Sequence, residues 1–173
     1  GTINEMTMAG LTGMMITGTV AQRDVFLDQI KELTVVRDLK VLRGEGVNRV
    51  FGPGAFAQPV LDEDEKNALA TGQRVMRVEH SAQYGEHLRV VIPALASPNY
   101  LGKDCVLCHQ VPEGTPLGAV SMRVSLDNAY AAVANLRNQS IVFALLACIP
   151  LLGFVYFFIR KVVVRPMAGL TDS

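Results

Sequence analysis

Charge is scarce in this chain of 173 residues: 18% are Asp, Glu, Lys or Arg, 50% belong to the apolar set, and mean hydropathy is +0.28. A chain this apolar can bury enough surface to fold, which excludes an intrinsically disordered protein. Neither sign of charge is in surplus, since 16 Lys and Arg balance 16 Asp and Glu. No basic stripe is left to neutralise a phosphate backbone, so no nucleic-acid partner is expected. Trp is absent, and there is no repeat or low-complexity tract. No Ser-His-Asp grouping, phosphate loop or paired-carboxylate constellation stands out, and the chain is not expected to be an enzyme. The acidic run Asp62-Glu63-Asp64-Glu65 reads as a helix start or a solvated face.

The apolar excess is concentrated. Residues Ile141 to Ile159 contain no charge and no amide, and about 20 apolar residues suffice to cross a bilayer. One transmembrane helix is expected there, with Pro150 tolerated mid-span and Cys148 as an apolar packing residue. Arg160, Lys161 and Arg165 follow at once, so the positive-inside rule puts the C-terminal end in the cytoplasm. Residues 1–140, slightly acidic, are then expected to be extracytoplasmic. Gly1 in place of Met implies that a signal peptide or an earlier membrane helix precedes the chain.

Asn4 to Leu33 lacks Pro and sets apolar residues at helical intervals, predicting one long amphipathic helix that needs a packing partner because of Gly10, Gly13 and Gly18. Val35–Arg43 reads as a strand, Gly44–Pro59 as a loop and Asp62–Ala70 as a helix ended by Gly72. Arg74–Glu79, His87–Ala96 and Leu117–Ser125 read as strands, with a loop from Ser97 to Gly118 between the last two. The order predicts an α+β domain, an antiparallel sheet with helices on one side. From Asp127 a helix is expected to run without a linker into the membrane span.

The chemistry lies in the second loop. Cys105-Val106-Leu107-Cys108-His109 is a CxxCH sequence, the pattern of covalent haem attachment. Two thiols add across the porphyrin vinyl groups, and the adjacent imidazole becomes the proximal iron ligand. A thioredoxin-type disulfide would need a βαβ context. A zinc site would need a second CxxC or a His pair, and the other histidines are only His80 and His87. One covalent haem c is therefore expected on Cys105, Cys108 and His109.

The segment NYLGKDCVLCHQVPEGTPLGAVSMRVSLD, residues 99–127, resembles the haem-attachment segment of bacterial periplasmic c-type haem sensor domains with a PAS-like fold. Such domains occur in methyl-accepting chemotaxis proteins and sensor histidine kinases. The likeness extends to FGPG at Phe51 to Gly54, to the acidic helix with its TGQ, and to LRVVIPALAS. The tail VVVRPMAGLTDS is similar to the opening of a HAMP linker. The resemblance implies a homodimeric sensor in the bacterial inner membrane, sometimes with exchanged N-terminal helices, whose haem responds to redox state or a small ligand. It also implies a cytoplasmic signalling module beyond residue 173.

Methionine is a common sixth ligand that raises haem potential. The resemblance suggests one from the first helix, with Met14 or Met15 preferred over Met6 and Met8, which lie nearer the fraying terminus. His80 and His87 are alternatives, although EHSAQYGEH reads as an exposed stretch, and an open site that admits a gas is another. Met76 and Met122 are expected to pack in the sheet. Tyr100 is a candidate to lie against the porphyrin, Arg89 or Lys103 to offset propionate charge, and Val106 and Leu107 to exclude water. Two functions remain open: a transmembrane haem sensor, which the helix entering the span and the HAMP-like tail favour, or a membrane-anchored monohaem cytochrome that passes electrons.

Overall fold

The computed structural model describes residues 2–52, 54 and 60–161. The HAMP-like tail at 162–173 and part of the FGPG turn lie outside the described residues. By contacts the chain divides into two compact units, Gly1–Asp127 and Asn128–Ser173.

The first unit is α+β. Its strands β1 (Val36–Arg43), β2 (Val75–Ser81), β3 (Gly85–Leu95) and β4 (Pro116–Ser125) form one antiparallel sheet in the order β1-β4-β3-β2. Pro93 sits in central β3 without breaking a ladder, because the pairing with β2 stops at Val91 and only the β4 side continues past it. A register shift between Val36 and Asp38 lets Val36 and Leu39 face the same core despite their odd spacing.

Both faces of the sheet are covered, so the expected arrangement with helices on one side is corrected. On one face α1 (Thr2–Thr17) and α2 (Arg23–Lys31) pack over Leu39, Val90, Val120 and Met122. On the other, α4 (Glu63–Thr71) covers Leu42, Val91 and Ala119 with Ala68 and Leu69. This is why β3 and β4 lack clean apolar alternation: each strand buries both of its sides. Asp62 caps α4 through a capping box with Glu65, and Gly72 ends it in the left-handed region. Met122 is buried as expected, whereas Met76 is 53% exposed on edge strand β2.

The single helix expected over Asn4–Leu33 is two. Gly18 adopts φ +71°, and the Thr19 N–H reaches back to the Met14 carbonyl at 2.9 Å, a bond that closes a helix C-terminus and turns the chain. A 3-10 turn at Val20–Gln22 then leads into α2, which returns against α1 at Gly10, where a Cβ would run into the Phe26 ring. Gly18→Ala keeps space for its methyl group but strains the backbone. It is expected to cost about 1 kcal/mol, read as a lower midpoint in the denaturation of the full chain followed by circular dichroism.

The loop expected over Gly44–Pro59 begins with a helix, α3 (Glu45–Phe51), which ends at Gly52 with φ +74°. Gly46 is buried there, and its Cβ position lies 3.3 Å from Val111 and 3.7 Å from Leu117, so the missing side chain lets α3 sit close to that layer.

In the second unit, α6 runs unbroken from Asp127 to Ile159, 33 residues, through Pro150. It is long and apolar enough to cross a membrane, with a mean hydropathy of 2.6 in its most apolar window, and none of that window is buried among the described residues. The helix thus enters the apolar span without a linker, as expected. Only Leu126 separates it from β4.

Candidate haem-attachment site

The CxxCH sequence is not loop but one helical turn, α5 (Cys105–His109). Asp104 caps it, its carboxylate accepting the Leu107 N–H at 2.9 Å, and Gln110 ends it in the left-handed region at φ +53°. The turn is pinned at both sides. The Cys105 N–H donates to the Ser97 carbonyl at 2.9 Å, and Ala96 exchanges backbone bonds with Thr115 and Gly114, each 2.8 Å. Just before it, Tyr100 and Lys103 close a tight turn whose central residues, Leu101 and Gly102, both have positive φ, as a type I′ turn requires. Helical spacing places Cys105, Cys108 and His109 on one side of α5.

Cys105 and His109 line a cleft between α5, the sheet and α1, and most of its wall is apolar: Leu11, Val20, Val41, Val47, Leu95 and Val120 among others. Its space, counted out to the open side, is about 820 Å³. Cys108 is exposed, so the cysteine-bearing edge lies at the mouth. Leu107 is 74% exposed, which corrects the expectation that it excludes water, and half-buried Val106 lies outside the cleft lining.

His109 packs edge-on against Phe51 of α3, ring centroids 5.3 Å apart at 77°. Burial, then the nearby Arg43 cation, hold its pKa below the ordinary histidine value, so the ring is neutral near pH 7 and keeps a lone pair to donate. Its Nδ1 is buried without a hydrogen-bond partner among the described residues, as is Nε2 of His87.

Opposite α5, the face of α1 carrying Met8, Leu11, Thr12 and Met15 lines the same cleft. The structure thus separates the two preferred methionines. Met15 faces the cleft, whereas Met14 is half-buried and outside the lining. Met8, ranked lower from the sequence, also faces it, held by the core beneath α1, so proximity to the terminus does not leave it frayed. Met6 is 66% exposed. Tyr100 lines the cleft, and burial, Cys105 and Glu5 push its hydroxyl pKa up, keeping it a neutral donor.

Four other candidates lie elsewhere. His87, expected at the surface, is buried at 1% exposure, with Nδ1 2.9 Å from the Gly85 carbonyl; it lies beside Arg89 on the α4 side, outside the cleft lining. His80 is exposed on β2. Arg89 is also 1% exposed and faces α4, donating to Asp62 and Glu65, so it is not available to a propionate. Lys103 is exposed and outside the lining.

Among the described residues no group of three or more His, Cys, Asp or Glu could cage a bare metal ion. A haem iron needs no such cage, because the porphyrin supplies four ligands and the protein one or two. Two thiols, a neutral imidazole with an orphaned nitrogen, and thioethers across an apolar cleft fit that group. No family profile, curated protein or solved structure matches the chain.

Proposed function

We propose that this chain is part of a bacterial transmembrane signal transducer whose extracytoplasmic, PAS-like domain carries one covalent c-type haem. The observation that supports it best is the convergence of Cys105 and His109 on an apolar cleft faced by Met8 and Met15. When bound, the haem would supply a one-electron redox couple, or an iron position for a small ligand. The chain's own groups have distinct tasks. Cys105 and Cys108 would fix the porphyrin through thioethers, His109 would donate its lone pair from the α5 side, and Met15 or Met8 would close the α1 side. The apolar wall would exclude water and so set the dielectric around the redox centre.

The same reading assigns α6 to the inner membrane, with Arg160 and Lys161 on the cytoplasmic side by the positive-inside rule. α1 bears both methionine candidates, Met8 and Met15, and β4, which forms part of the cleft floor, leads into α6 after a single residue. A change of ligation that shifts α1 or the sheet would therefore bias the helix entering the membrane, the two-state element that signalling requires. The homodimer that such receptors form is part of this proposal. Exposure of Leu107 and Cys108 supports a second reading, a membrane-anchored monohaem cytochrome, because it leaves a haem edge open to an electron-transfer partner.

Optical spectra of the full chain in detergent, oxidised and reduced, with and without CO, test both. A reduced form that binds CO supports a ligand sensor; a six-coordinate form that ignores CO in both states supports redox sensing or electron transfer; absence of any haem band removes both. Met15→Ala is expected to convert a low-spin spectrum to high-spin, whereas Met14→Ala leaves it unchanged. Equal effects of the two would contradict the placement of α1.

A further inference from the structure

We infer that a second cleft of the outer unit, beside the first turns of α1, binds a primary ammonium ion carried on a small apolar body, with Glu5 as its counter-ion. The inference goes beyond the haem reading and does not rest on it. Asn4, Glu5 and Met8 share one face of α1 by helical spacing, and that face meets the end of β3 at Ile92 to Leu95 and the turn that carries Tyr100 and Leu101. The groove between them holds about 1000 Å³, counted out to its open side. The pairing of β3 with β2 stops at Val91, so β2 does not cover this end of the strand.

The chemistry of the wall selects the ligand. Glu5 is the one charged side chain among the described residues that line this groove, and no Lys or Arg lines it to compete for the carboxylate. Glu5 is exposed and makes no ion pair or side-chain hydrogen bond among the described residues. The Tyr100 hydroxyl makes no hydrogen bond among them either, and the Asn4 side-chain oxygen is buried without a partner there. Backbone bonds of 2.8 and 3.0 Å between Tyr100 and Lys103 close the turn that holds the phenol in place. Burial first, then Cys105, then Glu5 raise the Tyr100 hydroxyl pKa, so the carboxylate lies within electrostatic reach of the phenol. A primary ammonium has three donors and no acceptor, and it meets three acceptors here: a carboxylate, an amide oxygen and a phenol oxygen. Beside the apolar side chains of Ile92, Leu95 and Leu101 that attraction is stronger than in open water, and the same side chains cover the apolar body. Met8, Leu95 and Tyr100 also line the haem-attachment cleft, so an occupant of the groove rests against the wall of that site.

The test titrates the full chain in detergent micelles with phenethylammonium chloride and, separately, with phenethyl alcohol, which has the same apolar body and no charge; calorimetry reads both. The ammonium is expected to bind about tenfold more tightly than the alcohol. Glu5→Gln, a change at an exposed position that leaves the circular dichroism spectrum unaltered, should remove that preference and leave the alcohol affinity as it was. Tyr100→Phe, which keeps the ring, should weaken ammonium binding by about threefold. Glu32→Gln is the control: Glu32 is exposed at the end of α2 and outside the groove, and the same loss of charge there should change neither affinity. Four results would overturn the inference: no heat from either compound at millimolar concentration, equal affinities for the two, a preference that survives Glu5→Gln, or one lost equally in Glu32→Gln.

Discussion

Arg89→Ala is expected to destabilise the outer unit by about 3–5 kcal/mol, enough to unfold a marginal domain. Glu65 is fully buried, and its carboxylate is held by Arg89 at 3.1 Å, by the Ser121 hydroxyl at 2.6 Å, by the Asp62 N–H at 3.0 Å and more distantly by Lys40. Burial alone raises the Glu65 pKa, but these partners outweigh it and hold the carboxyl below the ordinary range. Removing Arg89 strands that charge against α4. Arg89→Met combined with Glu65→Leu, which removes both charges, should recover much of the loss. Thermal unfolding of the full chain followed by circular dichroism distinguishes the two variants. The pH dependence has a definite sign. A carboxyl whose folded pKa is depressed stabilises the fold fully above its unfolded value, about 4.3 for Glu, and that share is lost as pH falls through the folded value. The melting temperature should therefore decline below about pH 4, and the decline should flatten in the variant lacking both charges.

The other large effect belongs to the thiols. Cys105→Ser with Cys108→Ser is expected to abolish covalent haem entirely, while either single change leaves one thioether route. The helical turn survives these changes, because its cap at Asp104 and its backbone bonds to Ser97 and Val106 involve neither sulfur. A full-length, folded product that carries no bound haem after denaturation is the expected result, read by haem staining and intact mass.

The particular elements show what a sequence can and cannot display. Helix α4 lay within one residue of its expected bounds because Asp62, the acidic first turn and Gly72 are local punctuation. The strands were legible for the same reason, β1 differing by one residue at its start and β4 by one as well. The break at Gly18 was missed because the apolar period continues in phase from Met15 to Phe26; the turn is fixed by one glycine's φ and by packing of Phe26 against Gly10. Helix α3 has seven residues with two valines, poor local helix material, and draws its stability from lying against β4 and α5. His87 and Arg89 read as surface groups because their partners, Gly85 apart, come from α4, β2 and β4, and no spacing within β3 reveals them. At the site, the motif itself singles out Cys105, Cys108 and His109 as candidates, and the fold adds that Cys105 and His109 line one cleft. That Met15 lines the cleft and Met14 does not, and that Arg23 and Arg43 line it too, depends on how α1, α2 and β1 meet α5, which no sequence spacing displays.

The most direct test is to express the full chain, exported, in a host with cytochrome c maturation, denature it and look for haem on the polypeptide. Covalently retained haem, with a mass increase of one haem group and loss of both free thiols at Cys105 and Cys108, is the predicted result. A correctly inserted, folded chain with both thiols free and no haem would contradict it.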